Sequence, residues 1–122
     1  MTDTPYIPNE EILLIRVPTG SCWITEGPRV TSANFDPKPD ETGISASRRS
    51  ITSPAQSLEL APEPTSFRVA TLAVVSVREL GLQVEPDPTP QDAGHAEIRP
   101  ANKLRSSRSL RRKLARACEL LP

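Results

Sequence analysis

Aromatic residues are scarce in this sequence, which contains only Tyr6, Trp23, Phe35 and Phe67. A core built without them must come from Val, Ile, Leu and Ala side chains, and it must be small. A chain of 122 residues suits one domain and can bury a modest core without a metal or a disulfide. Its 14 prolines limit the length of regular elements, because proline lacks a backbone donor and breaks helix interiors.

Cysteine and histidine are nearly absent as well. Cys22 and Cys118 are far apart, and no His or Cys lies at metal-ligand spacing from either one, so we predict no metal site and no cofactor. The sequence begins with Met1, Thr2 and Asp3 and shows no basic or apolar signal segment, which favours a cytoplasmic protein with reduced thiols. The longest uncharged apolar run, 69–77, is much shorter than the ~20 residues of a membrane span. We therefore expect a soluble protein without a membrane partner.

The formal net charge is zero, but the charges are unevenly distributed along the chain. Residues 1–98 contain fourteen acidic and seven basic residues, whereas residues 99–122 contain eight basic residues and one acidic residue. Such asymmetry is typical of a basic segment that binds nucleic acid or an anionic partner. An acidic body can also neutralise its own basic tail.

The sequence predicts a single α+β domain over residues 1–122, with residues 1–8 flexible and residues 36–65 rich in loops. We expect a small, mostly antiparallel sheet of about five short strands, with Pro-rich loops and an amphipathic C-terminal helix packed on one face. The strand at 67–75 is the most apolar and should be central. Ser76 and Glu79 have the spacing of a capping box, and Gly81 follows where a glycine can end the helical turn. Further candidate strands are 11–17, 21–25, 29–35, 82–85 and 94–98. Residues 43–51 are a short strand or an irregular crossing, and the mostly irregular segment 53–65 has room for a single helical turn between Pro54 and Leu60.

The C-terminal segment has the pattern of an amphipathic helix. Leu110, Leu114 and Leu121 fall on one helical stripe, together with Ala117 or Cys118. Cations occupy the other faces and lie near the helix start, where the macrodipole disfavours positive charge. They could bind an anion, dock on acids such as Glu85, Asp87 and Asp92, or form a solvated face. The candidate residues for anion or partner binding are Arg105, Arg108, Arg111, Arg112, Lys113 and Arg116.

Four polar residues form a candidate ligand site, namely Arg29, Ser32, Asn34 and His95. If their two segments lie side by side in a sheet, an arginine, a hydroxyl, an amide and an imidazole could converge on a phosphate or a ribose. The alternative is that His95 and Arg29 are ordinary surface residues. No phosphate-binding loop, nucleophile elbow or H-E-x-x-H motif is present, so no catalytic residue is identified. The other polar candidates are Arg16, Thr31, Ser45 and Ser47.

The stretch 29–35 (RVTSANF), the segments 86–88 (PDP) and 94–96 (GHA), and the basic C-terminal helix suggest a family resemblance. In these segments the chain resembles short uncharacterised bacterial proteins that share an R-x-S-S-A-x-F stretch and a basic C-terminal helix. The resemblance covers a minor part of the chain. It implies a bacterial origin and a compact unit, but no reaction, cofactor or catalytic residue. The longer Pro- and Ser-rich middle of this sequence departs from that pattern.

Three hypotheses about function follow. The favoured one is a small bacterial non-enzymatic interaction or accessory protein that binds a protein partner through the basic helix or the sheet edge. The second is an enzyme or ligand-binding domain that acts on a nucleotide-like substrate through the Arg/Ser/Asn/His cluster. The third is a nucleic-acid binder that uses the basic helix. The acidic remainder of the chain, the shortage of aromatic residues for base stacking and the lack of a helix-turn-helix pair count against the third.

Overall fold

The computed structural model describes residues 6–122, and within that range the protein is an α+β fold with four α-helices and an antiparallel sheet. The strands are β1 (Ile12–Pro18), β2 (Ile24–Thr25), β3 (Arg29–Val30), β4 (Ile44–Arg48), β5 (Phe67–Ala73), β6 (Gln83–Pro86), β7 (His95–Arg99) and β8 (Glu119–Leu120). The α-helices are α1 (Pro54–Glu59), α2 (Val74–Glu79), α3 (Ala101–Ser106) and α4 (Arg108–Ala117). Short 3₁₀ helices lie at Ser32–Phe35 and Pro64–Ser66.

The main sheet has six strands in the order β6-β7-β4-β1-β5-β8, and every pairing in it is antiparallel. This confirms the predicted fold class and the antiparallel sheet, although the strand number is six instead of about five. β1 lies between β4 and β5, and β5 is followed only by the short edge strand β8. The strand predicted to be central is thus an inner strand one place from the edge.

One face of the sheet carries the core. Because side chains alternate along a strand, Leu13, Ile15 and Val17 of β1 point to the same face, and Leu13 pairs with Leu72 of β5. The helices α2, α3 and α4 cover this face, together with the first 3₁₀ helix. Their contributions to the buried cluster are Phe35, Val74, Val77, Leu104, Leu114 and Ala115.

The opposite face is mostly polar and only partly covered. Leu14 belongs to it and pairs with Ser47 of β4, which in turn pairs with His95 of β7. Arg16 and Ser45 lie on the same face one row further along. The short helix α1 packs against β1 and β5, so Leu14 is buried, whereas the buried residues of α2, α3 and α4 belong to the core on the other face. A concave region therefore remains open beside α1.

The chain between β1 and β4 folds differently from the prediction. The segment 21–25 does not pair with β1, since β2 pairs with β3 in a separate two-stranded ribbon. The predicted strand at 29–35 ends at Val30, and the next residues form a 3₁₀ helix. The Asn34 amide donates to the backbone oxygens of Trp23 at 2.9 Å and of Thr31 at 3.1 Å. These bonds turn the chain so that Phe35 is fully buried.

The capping-box prediction at Ser76 is wrong. Helix α2 begins at Val74 with Ala73 in the N-cap position, and no side chain caps it. Val74 and Val77 are both completely buried, so burial in the core determines where this helix begins. Gly81 has a φ of 80° and ends the helical segment as predicted, because glycine adopts this left-handed conformation without a steric penalty.

Two predicted flexible or loop-rich regions contain ordered elements. The sequence predicts that residues 1–8 are flexible. Positions 1–5 of this segment lie outside the described residues, and Ile7 is buried in the core. The loop-rich segment 36–65 includes β4 and α1. Ser53 caps α1, and Gln56 completes a capping box with it.

Both cysteines are free thiols, with Cys22 exposed and Cys118 half-buried. Burial raises the pKa of the Cys118 thiol to about 12. Across residues 6–122, no group of three or more His, Cys, Asp or Glu side chains could hold a metal ion. In the same range, none of the helices has the length and apolarity needed to cross a membrane.

Candidate functional site

Arg105 is used inside the protein. Its Nη2 donates to the backbone oxygens of Lys38 at 2.7 Å, Pro39 at 3.3 Å and Glu41 at 2.6 Å. Its Nε donates to the Pro37 oxygen at 3.3 Å. This guanidinium therefore satisfies the carbonyls of the 37–41 loop and holds the loop against α3.

Arg111 also binds backbone oxygens. Its Nη1 donates to the carbonyls of Leu104 at 2.6 Å and Arg105 at 2.8 Å. These carbonyls lie in the last turn of α3, where helices leave acceptors without an intrahelical partner. Arg111 thus caps α3 and fixes its junction with α4.

The other four predicted cations, Arg108, Arg112, Lys113 and Arg116, lie on α4 and are exposed. None of them takes part in an ion pair within residues 6–122, where the ion pairs are Arg48–Glu11, His95–Asp87 and Arg99–Glu97. Of the three acids considered as docking partners, Asp87 contacts His95 and Asp92 is buried among hydroxyl groups. Glu85 lies in β6 and forms no ion pair within residues 6–122. These cations remain available to another molecule.

Arg29 lies beside this helix. Arg29 and Arg116 line one surface cavity of about 370 Å³. Val30, Ala115 and Leu120 supply apolar parts of its wall, and Gly27, Pro28, Cys118 and Glu119 complete it. The cavity thus combines two guanidinium groups and one carboxylate with an apolar surface.

The four residues predicted to form one ligand site do not line one cavity. Arg29 belongs to β3, and Ser32 and Asn34 lie in the 3₁₀ helix that follows it. The Asn34 amide is occupied by the turn that it closes. His95 lines a different cavity, on the open face of the sheet.

That second cavity, of about 190 Å³, lies between α1 and the loop that leads into β7. We call it the open-face cavity. Leu14, Ser47 and His95 come from one row of the sheet, and Arg16 and Ser45 come from the next row. The complete lining is Leu14, Arg16, Ser45, Ala46, Ser47, Ser57, Pro62, Phe67, Asp92 and His95.

The ring of His95 is held by Asp87. Its Nδ1 lies 2.9 Å from the Asp87 backbone oxygen and 3.2 Å from the Asp87 carboxylate oxygen Oδ2. Because both partners are acceptors, Nδ1 must carry the hydrogen. In the neutral ring Nε2 is then an acceptor, and in the imidazolium form it is a donor. No residue of the described chain hydrogen-bonds to Nε2.

Asp92 anchors the loop that forms one wall of the cavity. Its carboxylate accepts hydrogen bonds from Ser47 Oγ at 2.6 Å, Thr52 Oγ1 at 2.5 Å and the Gly94 N–H at 3.0 Å. A side chain at Gly94 would place its Cβ 2.6 Å from Thr52 Oγ1, so the close approach requires glycine. The wall is therefore built around a buried, fully hydrogen-bonded carboxylate.

Burial by itself raises the pKa of the Asp92 carboxyl. The three hydrogen bonds and the charge of a protonated His95 outweigh burial and lower the pKa of Asp92 below its ordinary value. Asp92 is therefore a carboxylate at neutral pH and holds its three donors as a charged acceptor.

Sequence reasoning included Arg16, Ser45 and Ser47 among the polar candidates but did not group them with His95. Asp92 was missed as a site residue. Two features of the sequence indicate which polar residues share a sheet face. Small polar and apolar residues alternate at 45–47, and an arginine interrupts the apolar run 12–17. This alternation places the polar groups on one sheet face. The pairing of β4 with β7, which brings His95 beside them, is a long-range contact without a local signal.

Comparisons with known proteins add no relative. No protein-family model matches the chain, and no significant match occurs among curated proteins or solved structures.

The role of Arg105 leads to a first prediction. Replacing Arg105 with Gln removes the charged donor that holds the 37–41 loop, so the amides of this loop should exchange with solvent at least about tenfold faster. A tenfold increase corresponds to about 1.4 kcal/mol, near the lower end of the range for hydrogen bonds to charged groups. Hydrogen exchange monitored by mass spectrometry measures it. Arg108→Gln, which removes the same charge from an exposed position, should leave the loop unchanged. Equal exchange in both variants would contradict the anchoring role.

The lowered pKa of Asp92 leads to a second prediction. A carboxyl whose pKa is depressed in the folded state contributes stability above its unfolded pKa of about 3.9, and this stability is lost as the pH falls through the folded pKa. Asp92→Asn should reduce the free energy of unfolding by about 1–3 kcal/mol at pH 7. The difference from wild type should shrink below about pH 4. Urea unfolding between pH 7 and pH 3 measures both quantities.

Asp40→Asn is the matched control, because Asp40 is exposed. It should change stability by less than about 0.5 kcal/mol at either pH. A difference between Asp92→Asn and wild type that stays constant down to pH 3 would show that the carboxylate charge does not stabilise this loop.

Proposed function

We propose that this protein is a small non-enzymatic interaction protein that binds an acidic segment of a protein partner. The binding surface consists of Arg29, Arg108, Arg112, Lys113 and Arg116, and we call it the basic surface. The observation that supports the proposal is the division of the C-terminal cations into two groups. Arg105 and Arg111 bind backbone carbonyls, whereas the cations of the basic surface on α4 are exposed and unpaired within residues 6–122.

Helix stability does not account for the cations on α4. Arg108, Arg112 and Arg116 follow one another at a spacing of four residues, where like charges repel by about 0.2–0.5 kcal/mol per pair. Arg108 also lies at the helix start, where the macrodipole opposes a positive charge. The sequence retains these charges at a small cost in stability, and binding of an anionic partner would offset that cost.

The position of α4 suits a helix that presents a surface. Leu114 and Ala115 are buried against the core, so the apolar side of the helix fixes it to the body. We take α4 to be the amphipathic C-terminal helix that the sequence predicts. The exposed cations then project from a rigid support, which reduces the entropy lost on binding.

The cavity beside Arg29 and Arg116 favours a particular kind of partner segment. Its two guanidinium groups attract carboxylates, while Val30 and Leu120 offer an apolar contact. Glu119 lies in the same wall and disfavours groups with dense negative charge. An acidic segment that carries an apolar side chain fits these features better than a uniformly charged polymer does.

Nucleic acid is the less favoured partner. Residues 1–98 hold twice as many acidic as basic residues, and a duplex would bring phosphates within a Debye length of about 8 Å of that acidic body. The basic surface also carries no aromatic side chain on which a base could stack.

The proposal further includes a bacterial origin and a cytoplasmic location, which accord with the sequence-based expectations.

A pair of charge-matched variants tests the proposal. Arg112→Gln with Arg116→Gln removes two charges from the basic surface, and Lys38→Gln with Arg49→Gln removes two exposed charges elsewhere. The first variant should bind an acidic Glu/Leu peptide about two- to thirty-fold more weakly than wild type, and the control should bind it as wild type does. This range corresponds to two exposed charge contacts. Fluorescence anisotropy of the labelled peptide gives the Kd.

Two outcomes would contradict the proposal. Equal peptide binding by the two double variants would show that the basic surface is a solvated face. Sub-micromolar binding of an unrelated DNA duplex at physiological salt, with a shallower slope of log affinity against log salt in the first variant, would identify nucleic acid as the partner instead. In parallel, affinity capture from the native host should recover a stoichiometric acidic protein with wild type and the control, but not with the first variant.

A further inference from the structure

The open-face cavity is a second, independent site. It lies on the polar face of the sheet, whereas the basic surface lies on α4 and β3, and the two share no lining residue. We propose that this cavity binds the phosphate group of a small phosphate monoester with an apolar substituent. This inference goes beyond the proposed function and does not depend on it.

Arg16 supplies the principal charge. A guanidinium has five N–H donors, and within the described chain Arg16 uses Nη1 for one hydrogen bond, to the Ser57 backbone oxygen at 3.2 Å. That bond orients the side chain toward α1 and the cavity that Arg16 lines. Its other donors can bind two phosphate oxygens, a geometry for which arginine is well suited. Ser45 is exposed in the same lining and adds a hydroxyl.

His95 makes a phosphate monoester a better fit than a carboxylate. Because Asp87 holds the hydrogen on Nδ1, Nε2 accepts a hydrogen bond in the neutral ring and donates one in the imidazolium form. A phosphate monoester has a second ionisation near pH 6, so it can donate its remaining hydroxyl to Nε2 or accept from the imidazolium as a dianion. A carboxylate has only two oxygens, and a bidentate contact with Arg16 would occupy both, whereas a phosphate monoester keeps a third oxygen for His95.

Three acids lie near the cavity. Glu97 pairs with Ser45 in the sheet, but its carboxylate accepts hydrogen bonds from Thr42 and Arg99 and is not among the lining residues. Asp92 lines the cavity, but its carboxylate accepts three hydrogen bonds and is only 7% exposed. Asp87 contacts Nδ1, on the ring edge opposite Nε2, and is not among the lining residues. The remaining wall is apolar at Leu14, Pro62 and Phe67. That wall favours a phosphate with a short apolar group over inorganic phosphate, since burial of apolar surface adds affinity.

Phenyl phosphate is a suitable probe, and benzoate is its carboxylate counterpart. Isothermal titration calorimetry of the full chain at pH 6.5 should show saturable binding of phenyl phosphate and at least about tenfold weaker binding of benzoate. Arg16→Gln and His95→Gln should each weaken phenyl phosphate binding by at least about tenfold, as expected for loss of a hydrogen bond to a charged group. Arg49→Gln, which removes an exposed charge outside the cavity, should bind within about twofold of wild type.

Nuclear magnetic resonance gives a readout that does not depend on a variant. The chain has one histidine, so the long-range ¹H–¹⁵N signals of the imidazole belong to His95 without further assignment. We expect the free protein at alkaline pH to show the Nδ1–H form, and phenyl phosphate to shift the Nε2 resonance much more than the Nδ1 resonance. This measurement also tests the site if one of the variants fails to fold.

Three results would overturn the proposal. The first is an absence of saturation by phenyl phosphate at millimolar concentration, with the His95 resonances unmoved. The second is equal affinity of wild type and a folded Arg16→Gln or His95→Gln variant. The third is benzoate binding as tight as that of phenyl phosphate, which would identify a general anion contact. None of these results bears on peptide binding by the basic surface, so the two proposals can fail separately.

Discussion

Packing of three helices against one face of the antiparallel sheet is the constraint that organises this protein. The chain has few large apolar residues, and that face receives most of them, including Leu13, Leu72 and Ile98. Only the short helix α1 is left to cover the second face, where it buries Leu14 but not the polar residues beside it. An antiparallel sheet tolerates this arrangement, because one of its faces can remain solvated. The open-face cavity follows from how the apolar residues are distributed between the two faces.

The sequence predicts those parts of the fold that depend on local pattern. Two strands are readable in the sequence from local pattern. β1 is a short apolar run of strand length, and β7 follows the strand period of two, which turns Ala96 and Ile98 inward. The ribbon formed by β2 and β3 is not readable, since it depends on the side chain of Asn34 reaching back to Trp23. The start of α2 is likewise set by burial in the core, which overrides local capping.

The candidate sites show the same limit. By charge and spacing, Arg105 and Arg111 are equivalent to Arg108 and Arg112, and no local pattern separates the two pairs. The separation arises from tertiary structure, because a loop and a helix end bring backbone carbonyls within hydrogen-bond distance of Arg105 and Arg111. His95 was recognised as a polar candidate, but its strand partner places it beside Ser47 and away from Arg29. Long-range pairing therefore decides which polar residues meet.

The environments of the two cysteines have a practical consequence. A thiol reacts with alkylating reagents as the thiolate, and a pKa of about 12 for Cys118 leaves almost none of it in that form near neutral pH. Cys22 is exposed and precedes the ribbon that contains Arg29. The natural sequence therefore offers a single position for a fluorophore or spin label, beside the ribbon, without the need to remove a cysteine. The mobility or emission of a label at that position would report on motion of the ribbon.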